Sequence, residues 1–145
     1  MNVESILASK GRAVSTIAPD ATVAEALHRL RTERIGALVV SEDGERIEGI
    51  ISDRDILWAI DERGVGVLGA SVGSLMTKEV FTCSRNDRVS ALMATMTKRR
   101  FRHIPVVEKD GRLCGIISIG DVVKHRLDEI QSEADALHRY VTNMM

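Results

Sequence analysis

Apolar positions along the chain form two kinds of run, and the runs come in the same order twice. Short β-rich stretches stand at Val14–Ile17 and Val80–Cys83. Each is closed by a breaker, Pro19-Asp20 in one half and Asn86-Asp87 in the other. Apolar residues then recur at i, i+3, i+4 and i+7, as Val23, Ala26, Leu27, Leu30 and again as Val89, Leu92, Met93, Met96, the stripe of a helix that buries one face. Thr22-x-x-Glu25 forms a capping box at the first of these helices. Extended runs follow, ALVV after Gly36 and IPVV after His103, then turns rich in Asp and Gly, then the strands GIIS at 49–52 and 115–118. Further helices begin near Asp55 and Asp121. Each unit therefore reads β-α-β-β-α.

The duplication has a fixed offset. Ser52 and Ser118, Asp55 and Asp121, and Gly49 and Gly115 all lie 66 positions apart. A unit of about 60 residues is too small to bury its own sheet, so two units sharing an aliphatic core are expected. The fold class is α+β, with repeats at 1–66 and 67–127 and a helical extension over 128–145. Hydrophobic residues are 44% of the chain and aromatic ones only 3%, so Val, Ile, Leu, Ala and Met must build the core. In the extension, Leu127, Ile130, Ala134, Leu137 and Val141 keep a 3-4 spacing. That seam packs either on its own domain or on a second copy.

Charge and composition remove several classes. A net charge of −1 gives no pull toward nucleic acid or an anionic membrane, and stacking aromatics are scarce. No apolar run reaches transmembrane length and the N-terminus has no signal-peptide core, so a cytoplasmic protein is expected. Cys83 and Cys114 lie in apolar surroundings and read as buried thiols, and the four histidines lack ligand spacing, so no metal is expected. No nucleophile elbow, P-loop or kinase-type glycine loop occurs, and an enzyme is not expected. Gly64-x-Gly66-x-x-Gly69 matches a dinucleotide fingerprint, but it follows the helical pattern DILWAIDER instead of a strand. Gly64 there reads as a helix C-cap.

Ser52-x-x-Asp55 and Ser118-x-x-Asp121 carry two readings. Each has the form of a capping box. Each also stands where a strand runs into a helix start, a ready anion site at which an aspartate can accept bonds from ribose hydroxyls.

The segments RIGALVV and GIISDRDIL, then RHIPVV and GIISIGDVVK, resemble the two halves of a CBS-domain pair, the Bateman module, over about residues 3–127. The resemblance implies a flat module of pseudo-two-fold symmetry with two clefts between its sheets. Such clefts take adenosine-containing ligands: AMP, ADP, ATP, S-adenosylmethionine or NAD(H). One cleft would draw Ile50, Ser52 and Asp55 from the first repeat, with Arg54 adding charge, and Val80, Phe81, Arg102 and His103 from the second. The other would draw Ile116, Ser118 and Asp121 from the second repeat, and Lys10, Ser15, Ile35, Gly36 and Ala37 from the first. Arg102 and His103 favour a phosphate-bearing ligand in the former, whereas Gly36 and Ala37 leave the latter roomier. Lys98 and Arg99 read as a solvated helix end. The implied function is non-catalytic sensing of energy or redox state by a homodimer acting on a separate protein partner. Its rivals are a ligand-free interaction module and, further off, a nucleotide hydrolase.

Overall fold

A computed structural model describes residues 1–144 of the chain. In the first repeat, β1 (Thr16–Ile17) runs parallel to β2 (Ala37–Val40), which pairs antiparallel with β3 (Gly49–Ser52). In the second, β4 (His103–Val107) pairs antiparallel with β5 (Leu113–Ser118). The strand expected over Val80–Cys83 is reduced to a single bridge between Cys83 and Val106.

Proline explains that loss. In the first repeat the Val39 N–H donates to Ser15 O at 3.2 Å and the Ser41 N–H to Ile17 O at 2.9 Å. The second of these bonds has its counterpart, Val107 N–H to Cys83 O at 2.9 Å. The counterpart of Val39 is Pro105, which has no N–H to offer Phe81.

The helices are α1 (Val3–Lys10), α2 (Val23–Glu33), α3 (Asp53–Arg63), α4 (Val72–Leu75), α5 (Val89–Arg99) and α6 (Ile119–Met144), with a 3-10 turn over Val65–Gly69. Thr22 caps α2 through its own oxygen on the Glu25 N–H, one half of the expected box. Gly64 does cap α3, at φ 84°, a left-handed value that suits glycine. The helix stripes bury Val23, Ala26 and Leu30, and Val89, Leu92 and Met96; Leu27 and Met93 face outward.

The apolar residues form two clusters, and each borrows a helix from outside its own repeat. Val72 of α4 completes the core of Ile17, Val23, Leu38, Ile51 and Ile56. Val3, Ile6 and Leu7 of α1 complete the core of Cys83, Val89, Leu92, Ile104 and Ile117. Leu38, Ile51, Ile104 and Ile117 are fully buried, each worth roughly 1.5–3 kcal/mol relative to exposure. A cut at residue 66 thus divides the sequence repeats but not the packed units.

No boundary separates repeat from extension, because α6 is one helix of 26 residues. Val122 is its only buried residue, and positions 131–144 are all exposed, so the outer half does not pack on its own domain. Among the described residues no helix is long and apolar enough to cross a membrane.

Candidate functional site

Both serine–aspartate pairs close as helix caps. Ser52 holds an extended backbone at the end of β3 (φ −115°, ψ 165°), and its Oγ accepts from the Asp55 N–H at 3.2 Å. Asp55 Oδ2 accepts in turn from the Ser52 N–H at 2.8 Å and from the Ser52 hydroxyl at 3.0 Å. Ser118 and Asp121 repeat the reciprocal backbone bonds at 3.1 and 2.8 Å. Capping and ligand binding do not compete outright, since the cap of Asp55 uses Oδ2 and leaves Oδ1 outside these bonds.

A cleft of about 430 Å³ opens beside Ser52 and Asp55. Every residue that the sequence assigns to this site lines it: Ile50, Ser52, Arg54 and Asp55 from the first repeat, Val80, Phe81, Arg102 and His103 from the second. The wall has further members that the sequence reading missed. Trp58 stands one helical turn after Arg54, whose guanidinium lies 5.9 Å from the ring centroid, and that i, i+4 spacing was the available signal. Thr77 and Glu79 also face the cleft, as do Arg100 and Phe101.

Arg99 is an addition to the wall. It is the exposed end of α5, as expected, but its guanidinium also lies 5.8 Å from the Phe81 ring centroid, with Phe81 and Phe101 themselves 6.0 Å apart. Four arginines thus share the wall with Asp55 and Glu79. Arg102 is not idle there: its Nη2 meets Asp53 Oδ1 at 2.6 Å, an ion pair across the two repeats. Backbone bonds repeat the symmetry around it, from Asp53 N–H to Gly36 O at 3.1 Å and from Ile119 N–H to Arg102 O at 2.8 Å. Burial, with the Arg102 charge beside it, holds the His103 imidazole below its usual pKa.

The second site departs from expectation. Lys10, Ile116, Ser118 and Asp121 do come together: the Lys10 ammonium donates to Ile116 O at 2.9 Å and to Asp121 Oδ2 at 2.7 Å. Burial works to raise the Asp121 carboxyl, but Lys10 and the Ser118 N–H outweigh it and leave the pKa below the usual value. Ser15 and Ile35 do not join them. The Ser15 hydroxyl donates to Glu33, which Arg29 also holds, and Ile35 packs on the first core. Ala37 lines the first cleft instead. Nor does Gly36 leave room, for a Cβ there would meet His103 Cε1 at 2.9 Å. The imidazole fills the space that the missing side chain opens.

Both cysteines are free, and burial pushes the Cys83 thiol up to about 12, an unreactive value. No three His, Cys, Asp or Glu side chains are grouped to hold a metal ion among the described residues.

Comparison with known proteins matches the CBS-domain family model twice, at residues 5–62 and 72–128. A mitochondrial CBS domain-containing protein of Arabidopsis thaliana is 35% identical over 96% of this chain and 71% of its own length. The crystal structure of a CBS-domain-containing protein of Agrobacterium tumefaciens superposes with a TM-score of 0.81 at 46% identity, covering 86% of this chain and 98% of the other. A CBS-domain protein of Pyrobaculum aerophilum complexed with AMP matches with a TM-score of 0.74 at 28% identity, over 83% of this chain and 89% of its own.

Proposed function

The chain belongs to the CBS-domain family, and from that premise we propose that it is a non-catalytic regulatory module binding one phosphate-bearing adenosine ligand in the Ser52/Asp55 cleft. The observation that carries the reading is the composition of that cleft. Residues from both repeats converge on one cavity in which Asp55 has no ion pair among the described residues and arginines crowd one side. Ile50, Val80 and Phe81 offer apolar faces for an adenine, and the lone pairs of Asp55 suit two ribose hydroxyls. The phosphate goes toward Arg54, Arg99 and Arg102, beside the N-terminus of α3. AMP, ADP, ATP and NAD(H) share these features, and the AMP complex of the Pyrobaculum relative makes AMP the first probe.

Regulation follows from where the contacts originate. A ligand that touches Asp55 on one repeat and Phe81 on the other favours whichever setting of the repeats closes the cleft best, and so shifts their population. The output passes to a separate protein and through a second copy of this chain, in the cytoplasm. α6 supplies the self-association surface: Leu127, Ile130, Leu137, Tyr140 and Val141 are all exposed along it. Deleting residues 131–145 should convert dimer to monomer in sedimentation velocity.

Thermal unfolding against AMP, adenosine, ATP, NAD⁺, NADH and S-adenosylmethionine tests the binding. A native-state ligand at a hundredfold excess over Kd adds about 2.7 kcal/mol, and the phosphate-bearing members should give the larger shifts. A flat response to all of them favours the second reading, a ligand-free interaction module. The observation on its side is that both serine–aspartate pairs already close as caps.

A further inference from the structure

We infer that Lys10 is a built-in occupant of the second cleft: its side chain takes the polar seat that a nucleoside would use, and so fixes the stoichiometry at one nucleotide per chain. The inference rests on reading the clefts as adenosine sites. Lys10 Nζ engages two acceptors at once, Ile116 O at 2.9 Å and Asp121 Oδ2 at 2.7 Å. By the repeat these correspond to Ile50 and Asp55, both on the wall of the first cleft. Asp121 Oδ1 stays outside these bonds, as Oδ1 of Asp55 does, so what a ribose entering the second cleft meets is a carboxylate whose Oδ2 and charge Lys10 already holds through a charge-assisted bond. Displacing the ammonium would leave a carboxylate that is 21% exposed without its counter-charge.

The asymmetry comes from one turn of helix. α1 and α4 are equivalent struts. Each begins with a valine N–H bonded across to the loop before the striped helix of the other half, Val3 to Asp87 O before α5 at 2.9 Å and Val72 to Ala21 O before α2 at 2.8 Å. Each then sets a side chain against the glycine that opens a GIIS strand, Leu7 on Gly115 and Met76 on Gly49. There the likeness ends. α4 stops at Leu75, and the chain becomes extended, so that Thr77 exchanges two backbone bonds with Ile50 at 2.9 and 3.0 Å. α1 has eight residues against four and ends on Lys10, three positions past Leu7, within reach of Asp121.

Calorimetric titration of the full chain with AMP decides the matter. The wild-type protein should bind one AMP per chain, and Asp55→Ala should weaken that binding about a hundredfold. Lys10→Met, which keeps the apolar stem and removes the cation, should bind two, the second site tightening about tenfold or more. That added site should survive in Lys10→Met/Asp55→Ala and vanish in Lys10→Met/Asp121→Ala. A stoichiometry of one in Lys10→Met, with the first site intact, overturns the inference and leaves the proposed function standing. So does a stoichiometry of two in the wild type. Binding in Lys10→Met alone sustains the role of Lys10 and sinks the assignment of the first cleft. No AMP binding in either protein overturns both. Should Lys10→Met misfold, amide spectra of the wild-type protein during the titration give the answer. Ser52 and Asp55 should move while Ser118 and Asp121 stay, and movement of both pairs in step would defeat the inference.

Discussion

The two clefts begin from the same strand, the same serine and the same aspartate, and end as different objects. One is open, with Asp55 held only by Ser52. In the other, Asp121 is tied to Lys10. Inside the GIIS-x-x-D segment only the two middle positions differ, Asp53-Arg54 against Ile119-Gly120, and they do not bring Lys10 to Asp121. The rest arises from what approaches it: a longer or shorter strut, and Arg102 and His103 where the first repeat has Gly36 and Ala37. Duplication copied the caps faithfully, while the surroundings specialised.

If the repeats are equal as scaffolds and unequal as sites, matched substitutions should separate the two properties. Ile51 and Ile117 are counterparts and both fully buried. Alanine at either should cost about 2–5 kcal/mol in chemical denaturation, and a gap of more than ~2 kcal/mol between them would break the scaffold equivalence. At the sites the opposite is expected. Asp55→Ala should weaken AMP binding about a hundredfold by calorimetry, since it removes charged hydrogen bonds to the ligand. Asp121→Ala loses the same kind of cap and should leave AMP affinity within about twofold.

Two smaller effects sharpen the contrast. Val39→Pro imposes on the first sheet the lesion that Pro105 makes in the second, because the Val39 N–H bonds Ser15 O. It should cost about 1–2 kcal/mol and expose the amides of β1 to hydrogen exchange while β3 stays protected. The smallest effect belongs to His103, whose counterpart Ala37 does not titrate. Burial, then Arg102, hold its folded pKa below 6.5, so the unfolded chain takes up the proton first as pH falls. Its contribution to stability is complete above about 6.5 and is lost as pH drops through the lower folded value. His103→Gln should flatten that part of a stability–pH profile measured by urea midpoints.

The residues that made the fold legible were those whose periodicity and spacing repeat: the helix stripes, the GIIS strands, and the serine–aspartate caps. The first cleft was legible for the same reason, since all eight of its assigned residues sit on segments whose register the repeat fixes. What escaped depended on lengths and absences. Pro105 reads as an ordinary member of a strand, and only the missing N–H to Phe81 turns a third strand into one bridge. Lys10 was foreseen near Asp121, but as a charge for a ligand, because the end point of α1 relative to β5 is set by packing of Leu7 on Gly115. Arg99 was assigned by the helix dipole, which is blind to a phenylalanine ring arriving from another segment. The glycine at 36 announced space without saying that a histidine 67 positions later would fill it.

The exchange of struts between the cores has a consequence for how the protein is made. Synthesis runs from the N-terminus, and units that are complete can fold as they emerge. The first core is complete once Val72 and its neighbours up to Met76 have left the ribosome. α1 is synthesised before all of it, yet its partners Ile104, Ile117 and Val122 come last. Val3, Ile6 and Leu7 therefore wait, apolar and unpartnered, until β4, β5 and the start of α6 have emerged. A deletion or a bulky fusion at the extreme N-terminus would accordingly leave the first repeat intact and do its damage in the second.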